Sequence, residues 1–109
     1  MTEKKLSEAD LMRSIMLALS AEGHMVFRGN VGLFFTKDGR PVKSGLPVGF
    51  SDLFGFTNKV RPFFLEVKTE IGRVSPAQKA FLIAMHQRGA IAAIVRSVDD
   101  AVFLLQKSQ

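Results

Sequence analysis

The stretch that most limits how this chain can fold is Pro62-Phe63-Phe64-Leu65-Glu66-Val67-Lys68. Its apolar and aromatic content is that of an interior strand. It nevertheless ends in a carboxylate and an ammonium two residues apart. Side chains alternate faces along a strand, so Glu66 and Lys68 share one face and Leu65 and Val67 share the other. Charged groups at the end of a buried strand are costly unless they face each other, a metal or a substrate. That cost is the reason to look for chemistry here.

The flanking sequence builds layers around this strand. Ser7 precedes a helical pattern over roughly residues 7 to 22, with Asp10 at the capping-box position and Gly23 as the stop. Leu11, Met12, Ile15, Met16 and Leu19 form its apolar stripe. Glu8 lies three and seven residues before Leu11 and Ile15 and extends that stripe. An acid there either points toward a site or complements the helix dipole.

Residues 24–28 read as a short strand, and 31–35 as its continuation or partner. Residues 36–45 are polar, carry Lys37, Arg40 and Lys43, and contain an Asp38-Gly39 hairpin signal. An exposed basic loop or ribbon is expected, either solvated or holding phosphate backbone. Leu53-Phe54-Gly55-Phe56 is a second apolar strand, joined to the Glu66 strand by a turn at Asn58-Lys59. A hairpin brings Asp52, at the start of one strand, to the same end of the sheet as Glu66.

Ser75-Pro76-Ala77-Gln78 is a helix start with N-cap, N1 proline and capping-box glutamine. Ala77, Phe81, Ala84 and Met85 continue the stripe until Gly89. Residues 90–95 are apolar on both faces, as in a strand between helices, and the crossover rule makes this strand parallel to the Glu66 strand. Ser97 caps a final helix through Val98, Ala101, Val102 and Leu105. The expected fold is α/β, a mixed sheet flanked by helices in the order αβββαβα, as one domain over residues 1–109.

Asp52 and, fourteen residues later, Glu66-Val67-Lys68 form the set needed to hydrolyse a phosphodiester with a divalent metal. Two carboxylates and a backbone carbonyl, such as that of Val67, suit hard ions such as Mg2+ or Mn2+. Lys68 shares the face of Glu66 and can orient the attacking water or stabilise the anionic transition state. Lys and Arg exceed Asp and Glu by 15 to 10, which favours an anionic partner, nucleic acid above all. The chain has no Cys, and neither His24 nor His86 has a partner at ligand spacing, so no zinc site is expected. No apolar run approaches a membrane span, and a soluble, intracellular protein is expected, cytoplasmic or nucleoid-associated.

Three stretches, Gly49-Phe50-Ser51-Asp52-Leu53, Phe64-Leu65-Glu66-Val67-Lys68 and Gly72-Arg73-Val74-Ser75-Pro76-Ala77-Gln78-Lys79, resemble the virus-type replication-repair nuclease (VRR-NUC) family of the PD-(D/E)xK superfamily. The resemblance runs from about Glu8 to Leu105 and implies a restriction-endonuclease-like core. It implies Asp52 and Glu66 as metal-binding acids, Val67 as a backbone-carbonyl ligand and Lys68 as the catalytic lysine. Glu8 corresponds to the acid on the first helix of many such nucleases, and Gln78 to a helix glutamine that supports the site. Ser51 stands where the family more often has proline. Arg73 and Lys79 flank the active end as candidate phosphate contacts, beside Lys37, Arg40 and Lys43.

These residues together lead to the expectation of a metal-dependent endonuclease, without a nucleotide cofactor. A chain this short has little room to read base sequence, so branched or flapped DNA is the expected substrate. By resemblance, it works as a homodimer. The other readings are a nuclease fold that binds DNA or a partner protein without cutting, and a basic nucleic-acid chaperone acting through charge alone.

Overall fold

The computed structural model describes residues 6–108. In chain order the elements are α1 (Glu8–Ala21), β1 (Met25–Arg28), β2 (Leu33–Phe35), β3 (Pro41–Lys43), β4 (Leu53–Phe56), β5 (Pro62–Val67), α2 (Pro76–Gln87), β6 (Ile91–Val95) and α3 (Val98–Lys107). Four strands form the main sheet in the order β1-β4-β5-β6. The first two pairings are antiparallel, and β6 runs parallel to β5 as the crossover rule requires.

The alternation along β5 decides what covers each face. Phe63, Leu65 and Val67 point one way, into a core with Leu11, Ile15 and Leu19 of α1 and Ala101 and Leu105 of α3. Phe64 and Glu66 point the other way, toward α2. There the rings of Phe50, Phe54, Phe64 and Phe81 pack at centroid distances of 4.7 to 6.5 Å. One face is therefore a mostly aliphatic core around Phe63, while the other is an aromatic layer that gives way to Glu66 at its end.

Each helix begins where its cap residue lies. Ser7, Ser75 and Ser97 accept from the backbone amides of Asp10, Gln78 and Asp100. Asp10 does not close a capping box, because its carboxylate takes the Arg13 guanidinium one turn on. In α2 Phe81, Ala84 and Met85 are half-buried as the expected stripe has them, Leu82 beside them is buried, and Ala77 is exposed.

Residues 31–35 are neither a continuation nor a partner of β1. After Arg28 the Gly29 amide donates to the Asp52 carbonyl at 2.8 Å, the last bond between this segment and the start of β4. Gly32, at φ +140°, redirects the chain into β2. That strand pairs only with β3, in a separate two-stranded ribbon turned at Asp38-Gly39. Among the described residues five strands thus precede α2, and the αβββαβα order describes the elements of the main sheet with its helices.

Candidate active site

Asp52 lies one residue before β4, and Glu66 lies one residue before the end of β5. Their strands pair antiparallel with Leu53 opposite Leu65, which brings both acids to the same end of the sheet. Asp52 Oδ2 accepts the Val67 amide at 2.9 Å. In an extended strand a residue's N–H and C=O point to the same side, so the Val67 carbonyl also opens toward Asp52. Ser51, in place of the expected proline, is buried and donates its hydroxyl to the Leu53 carbonyl at 2.9 Å. A serine can therefore hold the entry to β4 that a proline would stiffen.

Glu66 is fully buried. Its Oε1 accepts from Gln78 Nε2 at 2.9 Å. As a carboxylate, its Oε2 is the buried side-chain oxygen left without a hydrogen-bond partner among the described residues. Burial drives the Glu66 pKa up to about 9. Asp52 adds to the rise by hydrogen bonding to the protonated acid and by its negative charge, with Glu8 contributing further and Lys68 opposing it. Two carboxyl groups buried side by side resist ionising together, and such perturbed pairs cluster at functional sites.

Gln78 serves two neighbours at once. Its Oε1 accepts the Ser75 amide at 2.9 Å, closing the capping box of α2, and its Nε2 reaches Glu66. Structural cap and site contact are the same side chain. Glu8 opens α1, half-buried, where it complements the helix dipole, and its charge adds the smallest of the contributions that raise the Glu66 pKa.

Lys68 follows β5 and is half-buried. A Cβ on Gly72 would come within 3.3 Å of the Lys68 Cβ, so glycine lets this loop fold back along the lysine stem. Arg96 holds the loop, donating from one guanidinium nitrogen to the carbonyls of Thr69 at 2.6 Å and Gly72 at 2.8 Å. Sequence reasoning does not find Arg96. Its only signal is its place directly after a parallel strand that pairs with β5.

The cations expected to meet nucleic acid lie around this centre rather than in it. Lys37, Arg40 and Lys43 are exposed on or beside the β2–β3 ribbon, where Arg40 pairs with Asp38 at 3.0 Å. Arg73 is exposed on the loop before α2, and Lys79 on its first turn. A second residue that sequence reasoning misses is Arg28, which lines an open groove shared with Asp52, Gln78 and Phe34.

The donor set fits a hard divalent cation in kind. It offers two carboxylates, one with a bare buried oxygen, and a backbone carbonyl opening to the same side. Among the described residues no cluster of three His, Cys, Asp or Glu side chains is found. An ion there must complete its shell with water and phosphate oxygens. No helix among the described residues is long and apolar enough to cross a membrane.

Two solved structures share this fold. One, described as a VRR-NUC domain, is 22% identical, with a TM-score of 0.64 over 91% of this chain and 94% of that chain. Another, described as a VRR-NUC domain protein, is 17% identical, with a TM-score of 0.61 over 96% of this chain and 89% of that chain. No curated protein matches in sequence. The sequence model of the VRR-NUC domain matches residues 35–99, which hold Asp52, Glu66, Lys68 and Gln78 and leave Glu8 outside. With well over half its length in that match, the chain belongs to the VRR-NUC family of nuclease-type domains.

Proposed function

We propose that the chain is a metal-dependent DNA endonuclease selective for branched or flapped DNA. The observation that carries this reading is buried Glu66 beside Asp52, with one Glu66 oxygen fixed by Gln78 and the other paired with Asp52 only when Glu66 is protonated. Once both acids ionise, an unpaired oxygen and two like charges remain in the interior, a cost that a bound cation would offset. Asp52, Glu66 and the Val67 carbonyl would hold Mg2+ or Mn2+, which when bound would supply the positive charge that activates water and offsets charge on the phosphate.

The protein's own groups do the rest. Gln78 keeps the Glu66 carboxylate from rotating away, and the Val67 amide does the same for Asp52. Lys68 orients the attacking water and meets the charge that grows on the phosphate oxygens. Lys37, Arg40, Lys43, Arg73 and Lys79 contact backbone phosphates and fix the register of the strand. A homodimer would present two such sites to one branch, and edge strand β1, with Met25 and Phe27 exposed, is a surface on which two copies can meet.

Cleavage of labelled single-strand, duplex, flap and four-way-junction DNA tests the proposal, in Mg2+, Mn2+ or EDTA. Cutting of branched substrates only with metal supports it. DNA binding with no cutting in any metal transfers the chain to the non-catalytic reading.

A further inference from the structure

The groove beside Asp52 contains more than the acid pair uses. About 400 Å³ of open space lies between the end of β1, the loop at Val48–Phe50 and the start of α2, a size in the range of ordinary small-ligand sites, roughly 300–1,000 Å³. Two glycines create it. A Cβ on Gly29 would sit 2.1 Å from the Ser51 carbonyl oxygen, and one on Gly49, at φ +91°, 2.6 Å from that of Ala77. Both loops are thereby drawn against Asp52 and α2 as bare backbone, and the space above them stays open.

The walls of this groove differ in chemistry. Its polar lining includes Asp52, Gln78 and Arg28, which enters neither of the two ion pairs among the described residues. The lining also includes Phe34, 49% exposed, and Val48, 82% exposed. Among the described residues the Phe34 ring packs on no other aromatic ring, and it lies outside the core. An aromatic ring half in water, on a strand of three residues, contributes little to holding the fold.

We propose that this groove binds one unstacked nucleotide of a DNA strand, its base against Phe34 and Val48 and its neighbouring phosphate on Arg28. The inference rests on the nuclease reading and names its substrate class: DNA with an unpaired nucleotide beside the phosphate to be cut, as at a flap or fork. A base within continuous duplex is stacked and paired, and must be extruded before a side groove can take it. An unpaired base offers a free face to an aromatic ring whatever its sequence, and a guanidinium grips phosphate through two N–H groups. Arg28, Phe34 and Asp52 line the same groove.

The test is binding in EDTA of single-strand and flap DNAs carrying 2-aminopurine at successive positions, read by anisotropy and by 2-aminopurine fluorescence. Wild type is expected to quench the probe at one position. Phe34→Ala should abolish that quench and weaken single-strand binding by about tenfold, while Phe34→Trp retains both. Circular dichroism checks that the half-exposed position leaves the fold intact. Unchanged quench and affinity in Phe34→Ala overturns the subsite, as does wild-type binding of continuous duplex as tightly as of single strand. Its fate separates from that of the nuclease reading. Quenching without cleavage in Mg2+ or Mn2+ supports the subsite and removes the nuclease. Unchanged quench in Phe34→Ala with metal-dependent cleavage retained overturns the subsite and keeps the nuclease.

Discussion

Gln78 donates to Glu66 Oε1 while accepting the Ser75 amide, so the side chain that starts α2 also orients the buried acid. The two roles separate by substitution. Gln78→Glu keeps an acceptor for the Ser75 amide and removes the donor to Glu66. Cleavage should fall about 10- to 100-fold, as is usual when a group that orients a metal ligand is lost, with α2 intact by circular dichroism. Gln78→Ala should lose about 1 kcal/mol of stability as well. Equal activity in Gln78→Glu and wild type would show that the contact with Glu66 is idle.

The raised pKa of Glu66 has a sign that melting can read. Its ordinary value is 4.5 and its folded value about 9, so the folded state holds a proton the unfolded state gives up. That contribution to stability is full below pH 4.5 and is lost as pH rises toward 9. In EDTA, Glu66→Gln should therefore melt at nearly the wild-type temperature at about pH 5 and above it at about pH 8, the gap widening with pH. A gap that is constant, or that narrows, would contradict an acid held neutral by burial.

Arg96 binds the loop behind Lys68 through main-chain carbonyls, so it acts as a positioning residue. Arg96→Met keeps the aliphatic stem and removes the donors. Hydrogen exchange should quicken over residues 69–72, and cleavage should drop about tenfold with KM nearly unchanged. Arg96→Lys should retain only part of the rate, because an ammonium lacks the planar fork of a guanidinium.

Val60 has φ 64° in the β4–β5 turn, where its amide donates to the Thr57 carbonyl at 2.8 Å. A left-handed backbone costs a β-branched residue about 1–2 kcal/mol. Since Val60 is exposed and glycine adopts this conformation freely, Val60→Gly should raise stability by up to about 1 kcal/mol after its added unfolded-state entropy. Denaturant unfolding measures the change; a loss of stability would mean that Val60 contributes a contact not evident in the turn.

Much of this architecture is legible in local signals. The Glu66 strand, the Ser75-Pro76 helix start and the hairpin that aligns Asp52 with Glu66 rest on short-range chemistry, and the fold contains all three. The separate ribbon is not legible, because Val31–Phe35 has the same apolar pattern as a fourth sheet strand. What sets it apart is a pairing local periodicity does not reveal, with β3 rather than with a strand of the main sheet. Arg96 and Arg28 stay hidden for a related reason. Each acts on backbone or space that tertiary folding brings near, so neither has a partner at a telling sequence spacing. The strain at Val60 is equally invisible in composition, since nothing about valine announces a positive φ.

The central claim is that Asp52 and Glu66 hold a divalent cation that cleavage requires. Mn2+ binding by calorimetry and cleavage of a flap substrate, measured on the same preparations of wild type and Glu66→Gln, test it most directly. Saturable Mn2+ binding and metal-dependent cutting are predicted in wild type, with both lost in the variant while DNA is still bound. Cutting by wild type in EDTA, or undiminished cutting by Glu66→Gln, would contradict it.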